Sequence, residues 1–294
     1  MINNYTKATI KMISSMIIFG TIGIFVRNID FSSGIIALAR AVIGTVFLIL
    51  YVLITKKKIS FLVIKKNFRI LCFSGMFLGI NWILLFEAYK YTSVATATLC
   101  YYMAPIFVIL ISPFLFKEKL TGLKGTCVFF AFVGMILVSG GFDSGFSGNN
   151  NFAGVLFGLS AAVFYASVII LNKKLKDISP YEQTIVQLII SIIVIIPYIV
   201  MKEDFTEIPY SGKSVFLLVI IGILHTGISY SLYFSSMIEL KAQRIAFLSY
   251  IDPITAILIS AFILKESMSL LSLAGGLLIL FSYYMKFLEP SGDS

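Results

Sequence analysis

The sequence predicts an all-α membrane protein, ten transmembrane helices arranged as two inverted five-helix repeats. Three observations lead there: the apolarity of the chain, the number of its long apolar runs, and a repeat at an offset of 148 residues. Hydrophobic residues make up 59% of the 294 and charged ones only 13%, and the mean hydropathy is +0.99. A water-soluble domain does not reach such values. Roughly 20 apolar residues cross a bilayer, so a chain of this length holds about ten spans with short connectors and no sizeable soluble domain.

The apolar runs fall at 8–26, 34–54, 70–89, 92–115 and 122–140, then at 153–171, 183–201, 215–238, 243–264 and 270–287. The first follows Lys7 and Lys11 as a signal peptide does, but it continues through Val26 without a small-residue cleavage site and is expected to stay as a helix. Between the fifth and sixth runs the Gly-, Ser- and Asn-rich stretch around 141–152 reads as a linker. It separates a first five-helix unit, 1–140, from a second, 153–288. The runs are too long and too separately bounded for the ten-residue alternation of a membrane barrel. Helices are the remaining solution, because lipid cannot satisfy an open backbone.

Charge then orients the chain. An inside N-terminus places 17 of the 23 Lys and Arg on cytoplasmic segments, five outside, and Arg40 within a span. Cytoplasmic loops carry the excess of positive charge, so both termini are expected in the cytoplasm of a multi-pass cell-membrane protein. The basic residues form no continuous face, which argues against nucleic acid as a partner. Cys72, Cys100 and Cys127 lie within apolar runs with no metal-ligand spacing.

At the 148-residue offset, Tyr102 meets Tyr250, Pro105 meets Pro253, and Lys117-Glu118 meets Lys265-Glu266 without a gap. Upstream, Gly79, Leu84 and Phe86 meet Gly227, Leu232 and Phe234. A proline followed by a Lys-Glu pair, twice in one register, marks a duplication. Since each unit holds an odd number of helices, the second copy crosses the membrane in the opposite sense, and inverted repeats are a recurring solution for alternating access.

The stretches YYMAPIFVILISPFLFKEKLTGLKG and SYIDPITAILISAFILKESMSLLSLAGG resemble the ten-helix drug/metabolite transporter superfamily of the EamA type. Arg40 in the second run and Gln187 in the seventh also sit where such proteins often place an Arg and a Gln. The resemblance spans nearly the whole chain. It implies metabolite export as the commonest bacterial role, with substrates in the group ranging over amino acids, other metabolites, nucleotide sugars and organic cations.

Ionisable groups within spans are expensive and read as functional by default. Arg40 and Glu87 can share a depth, as a structural ion pair, a gate contact or a substrate contact. Asp252 falls near the middle of the 243–264 run beside Pro253, and it is the foremost candidate for substrate binding; the plain alternative is a protonated or hydrogen-bonded carboxyl that only packs. His225, the sole histidine, suits proton coupling, or else a core hydrogen bond to a carbonyl. Tyr101, Tyr102, Tyr250, Trp82 and Tyr230 are candidate cavity aromatics, with a need for polar partners away from the interface. Asn81 offers a polar contact to substrate or to another helix. Pro105 and Pro253 interrupt their helices and free backbone carbonyls.

The cavity is therefore expected between helices three, four, eight and nine, near those prolines. No phosphate-binding loop, HExxH, GxSxG or dinucleotide fingerprint occurs, so no cofactor, metal or enzymatic role is expected. The function expected is secondary transport of a small solute, amino acids or related metabolites exported by alternating access. Protons are the expected coupling ion and the protein a monomer or weak dimer. The alternatives are transport of organic cations through an aromatic cage, and a membrane-embedded enzyme or sensor.

Overall fold

A computed structural model of the chain describes residues 4–116, 121–138, 149–202, 211–237, 239–240, 248–249, 251–266 and 269–285. Every regular element among them is helical. In the first half, α1 (Asn4–Gly20) and α2 (Ile22–Arg27) make span one, parted at Thr21. Spans two and three are α3 (Ser33–Ile54) and α4 (Phe61–Tyr91). Span four is divided into α5 (Val94–Tyr101) and α6 (Ala104–Phe116), and span five is α7 (Gly122–Val138).

In the second half, α8 (Asn149–Asn172) and α9 (Pro180–Lys202) are spans six and seven. Span eight runs through α10 (Gly212–Ile220), a π-helical segment (Ile221–Ile228) and α11 (Ser229–Met237). Spans nine and ten are α12 (Ile251–Phe262) and α13 (Leu270–Met285). Among the described residues seven helical stretches are long and apolar enough to cross a bilayer, and the shorter apolar helices Gly125–Val138, Ile251–Phe262 and Leu270–Ser282 fill the remaining places. Large apolar side chains such as Leu53, Phe114, Phe129, Ile193 and Val200 stand exposed on the surface, where acyl chains are their neighbours.

Several boundaries differ from the expected ones. The third helix begins at Phe61 rather than 70, because Lys65, Lys66 and Arg69 are good helix formers and carry the helix beyond the apolar run. The sixth begins at Asn149 and takes 149–152 from the expected linker; Asn is favoured where a helix starts. In the ninth, α12 begins at Ile251 after a turn at Ser249 that follows the helical Leu248, so Asp252 stands in the first turn of α12. There the missing N–H of Pro253 breaks no helical bond. Pro105 likewise opens α6, one residue after the break at Tyr102 and Met103.

The packing repeats when the halves are exchanged. α4 lies on α8, and α11 lies on α1; α4 lies on α9, and the π-helical segment lies on α3; α5 and α6 lie on α8, and α12 lies on α1. α3 against α9 and α7 against α13 are the self-paired contacts. Small residues permit the closest of these. A Cβ on Gly134 would come within 2.5 Å of the Gly275 carbonyl oxygen, and one on Gly275 within 2.5 Å of that of Gly134. Gly75 and Gly79 bring α4 onto α9, while Gly154 and Gly158 bring α8 onto Thr92 and Cys100, so the GxxxG spacings are packing devices.

The helix starts are tied across the halves too. Ser179 and Glu182 form a capping box on α9, with Ser179 N–H donating to Glu182 Oε2 at 2.9 Å. The other oxygen, Oε1, accepts the N–H of Ser60, which precedes α4, at 2.6 Å. At the starts of the corresponding spans two and eight, though not at equivalent residues, Ser214 in the first turn of α10 donates its hydroxyl to Asp30 Oδ2, before α3, at 3.2 Å.

Candidate functional site

A cavity of about 300 Å³ lies within the helices, walled by spans one, two, three, four, six, eight and nine. Span four reaches it because α5 stops at Tyr101. The break turns Tyr101 and Tyr102 into the cavity beside Ala104 and Pro105. From span nine come Ser249, Asp252 and Ala256, and from span eight Tyr230 and Tyr233. Positions related by the 148-residue offset face the same space: Trp82 with Tyr230, Leu85 with Tyr233, Tyr101 with Ser249, and Ala104 with Asp252. The cavity thus lies where the two repeats meet, but its chemistry is unequal. The carboxylate has an alanine as its counterpart.

Arg40 is 6% exposed and reaches the cavity from α3. Its Nε donates to Thr226 Oγ1 at 3.0 Å. Its guanidinium carbon sits 4.1 Å from the centre of the Trp82 ring and 5.9 Å from that of Phe86. These rings supply cation–π attraction. Among the described residues no carboxylate lies within 4.0 Å of it. Arg40 owes its place to a close approach of α3 and the π-helical segment: a Cβ on Gly44 would fall 2.3 Å from Thr226 Cγ2.

Asp252, half-buried, accepts a hydrogen bond from the Tyr102 side chain. The remaining wall is largely phenolic. Tyr101 stacks on Tyr165 with ring centres 5.1 Å apart, and Tyr230 packs on Phe19 at 5.4 Å. Tyr89 and Thr98 share a hydrogen bond of 3.3 Å at one end of the cavity.

Of the residues singled out from sequence, the structure brings Arg40, Trp82, Tyr101, Tyr102, Pro105, Tyr230 and Asp252 to one wall. It places others elsewhere. Glu87 does not meet Arg40; it pairs with Lys90 at 3.5 Å, one turn along its own helix. Asn81 is fully buried and donates to the Ala161 carbonyl at 2.7 Å, holding α4 to α8. His225 also lies off the wall. Thr21 Oγ1, which also meets the Ile18 carbonyl at 2.7 Å, shares a hydrogen bond with His225 Nε2 at 2.9 Å. Phe25 meets the His225 ring edge-on at 4.9 Å. Pro253 is buried and is not among the residues lining the cavity, and Tyr250 lies outside the described residues.

Gln187 belongs to a separate polar seam. It donates to Ser74 Oγ and, at 2.7 Å, to Asn172 Oδ1, tying α9 to α4 and α8. Sequence reasoning passed over Tyr89, Thr98 and Ser249 on the wall. Tyr89 stands near the end of its apolar run, where a tyrosine ordinarily anchors the interface, and nothing in its spacing distinguishes it.

The profile of the EamA-like transporter family matches residues 6–140 and again residues 152–288. An uncharacterized transporter, YxxF, of Bacillus subtilis (strain 168) is 32% identical over 254 residues, which are 86% of this chain and 81% of that protein. An uncharacterized transporter of Archaeoglobus fulgidus is 26% identical over 94% of each chain. A crystal structure of similar fold superposes with a TM-score of 0.67 at 17% identity, covering 96% of each chain.

Proposed function

We propose that this chain, which belongs to the EamA-like transporter family, is a secondary transporter that exports small zwitterionic metabolites, amino acids among them, by alternating access. One observation carries the reading. Arg40 and Asp252 face one cavity as opposite charges that do not pair with each other. A charge so placed is expensive unless something relieves it, and a solute bearing a carboxylate and an ammonium relieves both. The carboxylate goes to the guanidinium, the ammonium to Asp252, and the phenols around them accept or donate hydrogen bonds to the rest.

The reading of organic cations in an aromatic cage is less well supported. The face of Trp82, the strongest cation–π surface, is already taken by Arg40 at 4.1 Å. A substrate without an anionic group would meet that guanidinium unscreened. In the emptied cavity, Asp252 takes a proton in place of the ammonium, which couples export to the proton gradient. The excess of Lys and Arg on the segments that share the N-terminal face supports an N-terminus in the cytoplasm.

Counterflow in liposomes tests this. Protein loaded with one unlabelled amino acid should accumulate labelled amino acids, and free choline should not compete. Uptake of choline with no response to any amino acid would reverse the assignment.

A further inference from the structure

We propose that Arg27 and Glu266 form the gate that shuts the cavity on the face away from the N-terminus, an inference that rests on the alternating-access reading. The cavity's wall stops short of that face. On α2, α5 and α12 its last residues toward it are Ile22, Thr98 and Ala256. Beyond them the three elements close on one another. A Cβ on Gly23 would lie 2.3 Å from Val94 Cγ1, so α2 and α5 touch without a gap. One charged cluster clasps them at the rim.

Arg27 at the end of α2 meets Glu266 Oε1 at 2.6 Å and donates through Nη2 to the Thr92 carbonyl at 2.6 Å. Glu266 Oε2 accepts the Val94 N–H at the start of α5 at 2.9 Å and the Ser260 hydroxyl of α12 at 2.5 Å. A single carboxylate therefore holds the ends of spans one and nine and the start of span four, three of the elements that wall the cavity.

The turn after α12 is what aims Glu266. After α12, the Leu264 and Glu266 N–H groups bond back to the Ile259 and Ser260 carbonyls at 3.0 and 2.9 Å. Lys265 takes φ 53°, the left-handed conformation in which helices commonly end. The side chains of Arg27 and Glu266 are 33% and 15% exposed. Ion pairs that reach solvent are individually weak, so this one can open once per cycle. Opening toward this face requires α2, α5 and α12 to part, and each parting breaks a bond to Glu266.

The test reads accessibility, so it does not depend on knowing the substrate. Thr98→Cys, in a chain whose Cys72, Cys100 and Cys127 are replaced by Ala, is exposed to a charged, membrane-impermeant methanethiosulfonate from each face of oriented vesicles. The reporter should react from the N-terminal face. Glu266→Gln should raise the rate from the opposite face about tenfold by shifting a two-state equilibrium. Arg27→Gln should do the same, and the double variant no more than either, as for one shared interaction. Unchanged rates in well-folded Glu266→Gln would overturn the gate.

A second arm bridges Arg27→Cys and Glu266→Cys with a short bis-thiosulfonate. Net flux should stop, and reduction should restore it. Full flux while bridged would overturn the gate and leave the transport reading standing. Absence of flux in the unbridged chain would count against the transport reading alone, since the labelling arm still reads the gate.

Discussion

Spans three and eight occupy corresponding places in the two halves, yet they are built differently. α4 is one α-helix from Phe61 to Tyr91; its counterpart changes to π geometry between Ile221 and Ile228 and back again. Both keep an aromatic on the cavity at equivalent positions, Trp82 and Tyr230. The difference lies a turn earlier. The π-helical segment carries Thr226 onto Arg40 and His225 onto Thr21, where α4 has Leu78 and Phe77. π-bulges occur often at functional sites because they re-aim side chains without ending the helix. Duplication therefore supplied a symmetric scaffold, and the second copy departs from it where the buried charge had to be held.

The comparison can be broken most sharply at Arg40, which has only Leu188 as its counterpart. Arg40→Gln should lower transport in liposomes by about 100-fold or more, the scale of losing a desolvated charge contact, with little loss of the folded yield. Normal flux would mean that the buried guanidinium of the wall is scaffold.

Asp252→Asn comes next. It should insert normally, lose gradient-driven accumulation and flatten the dependence of flux on pH, while exchange persists if the carboxylate is the proton site. Moving the carboxylate to its symmetry-related position, in Asp252→Ala with Ala104→Asp, should not restore flux, because Arg40 breaks the equivalence. Recovery in the double variant would show the cavity to be functionally symmetric.

Gly44→Ala sharpens the comparison from the other side. The added methyl pushes on Thr226, an overpacking that costs about 1 to 3 kcal/mol. It should lower thermal stability and cut flux about tenfold. Gly125→Ala, with nothing within 4 Å, should do neither. The smallest effect is expected at His225→Gln, which keeps a hydrogen-bonding group toward Thr21 but cannot carry a proton relay. Flux should change by less than about threefold, because the side chain touches no substrate. A loss as large as that of Asp252→Asn would put His225 in the coupling path.

The span count and the duplication are legible without coordinates. Hydropathy reports them because lipid demands long apolar helices, and Pro105 with Pro253 sets the register of the repeat. Arg40 and Asp252 stand out for the same reason, as rare charges in apolar runs. The partners of such groups are another matter. That Glu87 turns to Lys90, that Asn81 and His225 face neighbouring helices, and that Glu266 crosses to Arg27 all depend on which faces the helices present to one another. Helix rotation in a bilayer is set by close packing and interhelical hydrogen bonds rather than by hydrophobic burial, so an apolar run carries almost no record of it. Composition and spacing decided how many helices cross and in what repeat; the Gly44–Thr226 approach, the π-helical segment and the break before Pro105 decided which of their side chains share a cavity.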